Sequence, residues 1–425
     1  MTSITEKRRL IWVPFIIVLI IGYAISSCSD SENNPEQDNS DIPAGDSTDT
    51  KLSDYVLSVI PPEVDILVRG TKICQLVGEI DRETKYYTMN RTYTRYGLEA
   101  TDLGVPFQHG DTTFILFGDS WGSIPGGPDV MAYTTDNTPW NGLELDFVKD
   151  ELSGNFHPLL IPGISQRALE VPMEGVFVDG KMYIYHTTDH MGRSIVARQN
   201  NDGYRTFEYL YDLSCRNFIN VSIVKIDASE WDFLPQQEGR GHVIFGSGSY
   251  RMSYVYLAYQ PEMEIENPQS IRYFAGVDKK SVPIWVTDET FSLPVFILES
   301  PCVGELSVSY NKILDRWILL YNCNNPRGIN IRTAQYPWGP WSTPQIIFHP
   351  WEDNGYCNFM HIPWSVQQCD EVHDEGRESV WGGEYGPYQF EHFATGEKNH
   401  AVIFFTLSTW NPYTAILMYA VLSMK

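Results

Sequence analysis

One pattern recurs five times between residue 102 and the C-terminus, and it limits the architecture more than any other feature. Each copy is a strand opening on a polar residue, a turn, a very apolar second strand and a third strand. The first copy runs Asp102–Phe107, Thr112–Asp119 and Val130–Thr134, and the second runs Glu174–Val178, Met182–Thr187 and Ser194–Gln199. The others open at Asn220, Glu305 and Tyr385. Units of roughly 45–85 residues, each a small antiparallel meander, bury their faces best by packing side by side in a ring. The fold class is therefore all-β, a five-bladed β-propeller. A β-sandwich with long loops is the competing arrangement. Residues Tyr55–Arg95 supply lead-in strands or part of the ring closure.

The N-terminus reads differently. Lys7, Arg8 and Arg9 precede the apolar run Leu10–Ala24, and small residues lead to Cys28. That run falls short of the roughly 20 residues a membrane span needs, and it has the order of an export signal. Ile25-Ser-Ser-Cys28 is similar to a bacterial lipoprotein box, with Cys28 as the lipidated residue. Residues 1–27 are expected to be a lipoprotein signal peptide. Residues 28–54, polar and poor in large apolar side chains, form a disordered tether. Residues 55–425 make the folded domain. The expected location is the outer membrane of a Gram-negative bacterium, anchored by lipid and exposed at the cell surface.

A net charge of −24 in 425 residues excludes nucleic acid as a partner, because it would repel a polyanion. No Cys-x-x-Cys occurs, and the spacing of the cysteines matches no zinc site. Cys302 and Cys323 fall where neighbouring strands can bring them face to face, while buried free thiols are expected for most of the six downstream cysteines. Neither a cofactor nor a metal is expected, and the chain is expected to be a monomer.

In a propeller, the residue opening each innermost strand points towards the axis at one mouth. Here those residues are Asp102, Glu174, Asn220, Glu305 and Tyr385, the last preceded by Glu384. Asp119 ends the strand paired with the first of them. Carboxylates that converge raise one another's pKa, so one can stay protonated while another is ionised. That division suits general acid and base chemistry on a glycosidic bond. Arg251, His361 and Trp410, with Arg332 and His186, lie at strand ends or in loops where they suit sugar hydroxyls and ring faces. A glycan-binding propeller without catalysis would keep the aromatics and arginines but would need no paired acids.

The chain resembles a family of exported bacterial proteins, long described only as a domain of unknown function and now grouped with endo-D-arabinanases among glycoside hydrolases. The matching pieces are Thr101-Asp-Leu-Gly104, Leu116-Phe-Gly-Asp-Ser-Trp121, Gly248-Ser-Tyr-Arg251, Val303-Gly-Glu-Leu-Ser-Val308, Tyr385-Gly-Pro-Tyr388 and Ser408-Thr-Trp-Asn-Pro-Tyr413. Arg332-Thr-Ala and the following Pro-Trp-Gly-Pro-Trp-Ser342 belong with them. The resemblance implies a five-bladed propeller that cleaves D-arabinofuranosyl linkages. It places catalysis on Asp102, Asp119 and Glu305. Glu174, Arg251, His361, Glu384, Tyr385 and Trp410 are the expected substrate-binding residues, and a polysaccharide is the expected partner.

Overall fold

A computed structural model describes residues 60–425 except 368, 370, 375 and 376. The expected signal peptide, the Cys28 lipid site and the tether all lie outside the described residues. Among the described residues no helix is long and apolar enough to cross a membrane.

The five expected meanders are five antiparallel sheets, four of them ordered from the axis outwards in chain order. Blade 1 comprises Leu103–His109, Thr112–Phe117, Val130–Thr134 and Asp146–Phe147. Blade 2 comprises Pro172–Val178, Lys181–Thr188, Arg193–Gln199 and Phe207–Ser214. Blade 3 adds a fifth strand, running from Asn220–Asp227 at the axis to Pro283–Val286 at the rim. Blade 4 starts at Leu306–Asn311 and ends at Gln345–Phe348. Blade 5 has Gly383–Tyr385 innermost, then His400–Trp410 and Thr414–Met424. Its outer strand is Val64–Gln75, from the start of the domain, paired antiparallel with Thr414–Met424. That pairing closes the ring, so the lead-in segment belongs to the last blade.

The very apolar second strands have a simple cause. A blade is covered by a neighbour on each face, so its middle strands lose the usual polar alternation. Met182–Thr188 and Trp317–Cys323 are buried throughout. Five apolar clusters fill the five interfaces: Phe114 meets Phe177 between blades 1 and 2, and Trp317 meets Phe245 between blades 3 and 4. At this last interface Trp341 is also buried, as an outer packing element.

Near the axis, polar side chains stitch the blades together. Glu174 accepts from Ile223 N (2.9 Å), Ser222 from Val308 N (3.0 Å), Ser307 from Gln389 N (2.9 Å) and Ser408 from Leu103 N (2.7 Å). Each bond joins one blade to the next and satisfies an amide that the inner strand edge would otherwise leave unpaired.

The expectation of mostly free thiols is corrected, whereas Cys302 and Cys323 do meet face to face. Cys302 pairs with Cys323 and Cys357 with Cys369, while Cys74 is free. Spacing hid the second pair, because Cys357 and Cys369, 12 residues apart, meet only through the fold of the insertion that carries them.

Candidate active site

The first-blade hairpin places Asp102 directly before the inner strand and Asp119 just after the second strand. Gly118 N donates to the Asp102 carbonyl (3.2 Å), which sets the two residues side by side. The Asp102 side chain is buried and accepts a hydrogen bond at Oδ2 from the Tyr385 hydroxyl (2.7 Å). Its Oδ1 has no partner. Burial pushes Asp102 up to about 8, with the Asp119 and Glu305 charges adding to the rise and the Tyr385 and Tyr413 hydroxyls opposing it.

Gly118 leaves room for this arrangement. A Cβ there would stand 2.5 Å from Asp102 Oδ1 and 2.9 Å from Val171. Gly118→Ala is expected to displace the carboxyl, cost about 1–3 kcal/mol of stability as overpacking and lower turnover. Thermal melts and steady-state rates on the same preparation check both effects.

Asp119 is only partly buried, and both of its carboxylate oxygens accept from Leu169 N (3.2 and 3.0 Å). Burial raises it to about 7, against the Leu169 bond, and the neighbouring Asp129 and Glu170 carboxylates raise it further. Behind it, Asp129 and His186 form a fully enclosed pair at 2.8 Å. His186 therefore supports the hairpin and does not line the mouth. The Tyr413 hydroxyl donates to the Asp119 carbonyl (2.9 Å) and interacts with the Asp102 carboxyl.

Glu305 precedes the inner strand of blade 4, in the place Asp102 occupies in blade 1. Its Oε1 accepts from the Tyr250 hydroxyl (2.7 Å), and its buried Oε2 is unpartnered. The Arg251 guanidinium stacks 4.8 Å from the Tyr250 ring centre. Burial works to lower Arg251, but the charge of Glu305 and the nearby tyrosines outweigh it and hold the cation. Tyr388, enclosed and with its hydroxyl unpartnered, feels Glu305 and Asp102, with Tyr250 and Glu174. An unpaired buried polar atom costs about 1–3 kcal/mol. The unpartnered oxygens of Asp102, Glu305 and Tyr388 leave hydrogen-bonding capacity free at this centre.

Not every expected residue joins this centre. Glu174 is not the opening residue of its strand, which begins at Pro172 with an irregular register between them. Its carboxyl accepts from Gly175 N and Ile223 N, and burial pushes it up to about 8. It lines a cavity of about 430 Å³ with Gln108, Lys225, Asn311 and Glu391, at the opposite end of the inner strands from Asp102. Asn220 is buried, and its Nδ2 is unpartnered.

His361 is fully buried, and its ring bonds the Asp374 carbonyl (3.1 Å). Its backbone links Asn411 and Gly382, so it braces the Trp410–Tyr413 turn from beneath. Glu384 lies 3.5 Å from Arg327. Trp410 is 43% exposed, with the Arg377 guanidinium 5.5 Å from its ring and Tyr413 edge-on at 6.1 Å. Arg332 is buried against Tyr321 and the Ser342 carbonyl, a structural role. Sequence reasoning passed over Tyr250, Tyr388 and Tyr413 as site residues. All three lie inside the quoted motifs, each within four residues of a chosen position, and that adjacency was the available signal. Among the described residues no cluster of three or more His, Cys, Asp or Glu side chains is arranged to hold a metal ion.

The fold and this centre together define a five-bladed propeller whose channel carries, at one mouth, carboxyl groups from blades 1 and 4 held by tyrosine hydroxyls. The chain belongs to the family described as a domain of unknown function, DUF4185, which matches residues 87–419. No curated protein sequence matches it significantly. Among solved structures it is similar to RS223-Beta-xylosidase, at 13% identity and a TM-score of 0.41 over 76% of this chain and 92% of that one. It is also similar to the alpha-L-arabinofuranosidase PaAbf62A from Podospora anserina, at 12% identity and 0.40 over 85% and 98%. An exo-1,5-alpha-L-arabinanase from a bovine ruminal metagenomic library matches at 10% and 0.35 over 76% and 93%. At scores this low, the fold assignment stands on the strand pairings themselves.

Proposed function

We propose that the protein is a glycoside hydrolase that cleaves furanosidic linkages of an arabinan-type polysaccharide, in the manner of an endo-D-arabinanase. The observation that carries this reading is the Asp102 carboxyl, buried, raised to about 8 and coupled to Asp119 and Glu305. A carboxyl with that value keeps its proton at neutral pH and can donate it to a departing glycosidic oxygen. Asp102 is the general acid. Glu305, reaching in from blade 4 beside the Arg251 cation, acts on the anomeric carbon, directly or through a water it deprotonates. The bond to the leaving oxygen breaks as that oxygen takes the Asp102 proton. The charge of Asp119 helps to hold the proton on Asp102. Trp410 and Arg251, at the mouth, supply a ring face and hydroxyl donors for the sugar.

The choice of a furanose polymer rests on the motif resemblance across residues 101–413. A lipid on Cys28 would hold this domain at the outer-membrane surface, where polysaccharide arrives from outside. Incubation with arabinogalactan, D-arabinan and L-arabinan separately, followed by size-resolved product analysis, tests the reading. Mixed-length oligosaccharides from D-arabinan are expected. Intact D-arabinan alongside cleaved L-arabinan would overturn the substrate, and three intact polymers would overturn the activity.

A further inference from the structure

Beyond the carboxyl centre, large aromatic rings stand in solvent on the insertion between blades 4 and 5. Trp351 and Trp381 are 42% and 41% exposed, and both pack on Tyr356, which is buried. The three ring centres lie 4.8, 5.4 and 6.1 Å apart, with interplanar angles of 63–75°. The Tyr356 hydroxyl donates to the Gly382 carbonyl (3.1 Å) and also receives Arg327. Arg327 lies 5.6 Å from the Tyr356 ring centre and reaches Glu384 at 3.5 Å. The Cys357–Cys369 disulfide crosslinks the same insertion. Among the described residues, two indoles held half-exposed over a buried tyrosine present apolar ring surface to solvent.

The platform lies close along the chain to a residue of the catalytic mouth. Trp381 lies four residues before Tyr385, whose hydroxyl holds Asp102. Four residues of extended chain span at most about 14 Å, the reach of a short oligosaccharide. Arg327 contacts both Tyr356 beneath the indoles and Glu384, the residue before Tyr385. Indole faces suit the apolar faces of sugar rings, and the guanidinium suits their hydroxyls.

We infer that Trp351, Trp381 and Arg327 form an outlying subsite that binds sugar units of the same neutral polysaccharide chain several residues from the scissile bond. This rests on the glycosidase reading above and specifies where the chain runs: outward over blades 4 and 5. Such a subsite holds an internal stretch of polymer and favours cutting within long chains over trimming their ends.

Native affinity electrophoresis in gels containing D-arabinan or L-arabinan tests it, using the Asp102→Asn protein so that the polymer stays intact. Retardation by one polymer is expected, with an apparent dissociation constant about tenfold weaker after adding Trp381→Ala or Trp351→Ala. Trp381→Phe, which keeps a ring, should recover most of the binding and shows that folding is not at issue. Equal retardation of parent and alanine variants overturns the subsite, as does a parent that neither polymer retards. Tryptophan-dependent retardation by a wild-type protein that cleaves nothing keeps the subsite and removes the hydrolase reading. A platform that instead docks a protein would leave the alanine variants as strongly retarded as the parent.

Discussion

Asp102→Asn is expected to fold, to bind polysaccharide and to lose about a thousandfold of turnover, within the range that general acid catalysis contributes. The same variant should become more stable than wild type as the pH rises. In the folded chain the Asp102 carboxyl is raised from 3.8 to about 8, mainly by burial. A group raised on folding contributes stability that is complete below its unfolded value and is lost as pH climbs to the folded one. For Asp102 that window runs from about pH 4 to about pH 8, at up to about 1.4 kcal/mol per pH unit. Asparagine has no proton to lose. Melting temperatures of the two proteins should therefore diverge by several degrees between pH 5 and pH 8 and then run parallel. Coincident pH–stability curves would show that Asp102 is an ordinary ionised carboxylate, unfit for the acid role.

Glu305→Gln carries the second large effect, a loss of about a thousandfold in turnover with little change in KM. In the proposed mechanism the lost group faces the anomeric carbon in the transition state and contributes little to holding the ground state. The amide keeps the shape, and the Tyr250 hydroxyl at 2.7 Å can still donate to its oxygen. The loss would thus report charge rather than geometry. A small nucleophilic anion such as azide should restore part of the activity to Glu305→Gln, measured with an activated aryl furanoside. A Glu305→Gln protein with near wild-type turnover would move the partner role to Asp119.

The blades were legible because each has the same local cause: a hairpin, an apolar strand covered on both faces, then a third strand. Asp179-Gly180 shows this most plainly. Both residues take positive φ, as a tight two-residue hairpin requires, and the dipeptide announces it. The strand openings were legible at Asp102 and Glu305, where the inner strand starts one residue later. They misled at Glu174, which lies two residues inside its strand rather than before it and lines the far end of the channel. No local pattern reveals such a shift. His361 failed for a different reason. A histidine in a long polar insertion looks available, yet the chain folds back over it, and its exposure falls to zero. The tyrosines that hold the carboxyls arrive from blades 3 and 5, and their distance along the chain from Asp102 and Glu305 concealed the partnership. The tryptophans of the insertion were visible as residues, but the packing of Trp351 and Trp381 on Tyr356 exists only in three dimensions.

The most direct test of a proton-bearing carboxyl at this mouth is the pH dependence of kcat/KM for wild-type protein on D-arabinan, the proposed substrate, followed from pH 5 to pH 10. With Asp102 as the acid at about 8, kcat/KM should fall tenfold per pH unit above that point, as free enzyme loses the required proton. A rate that holds level to pH 10 would contradict the assignment.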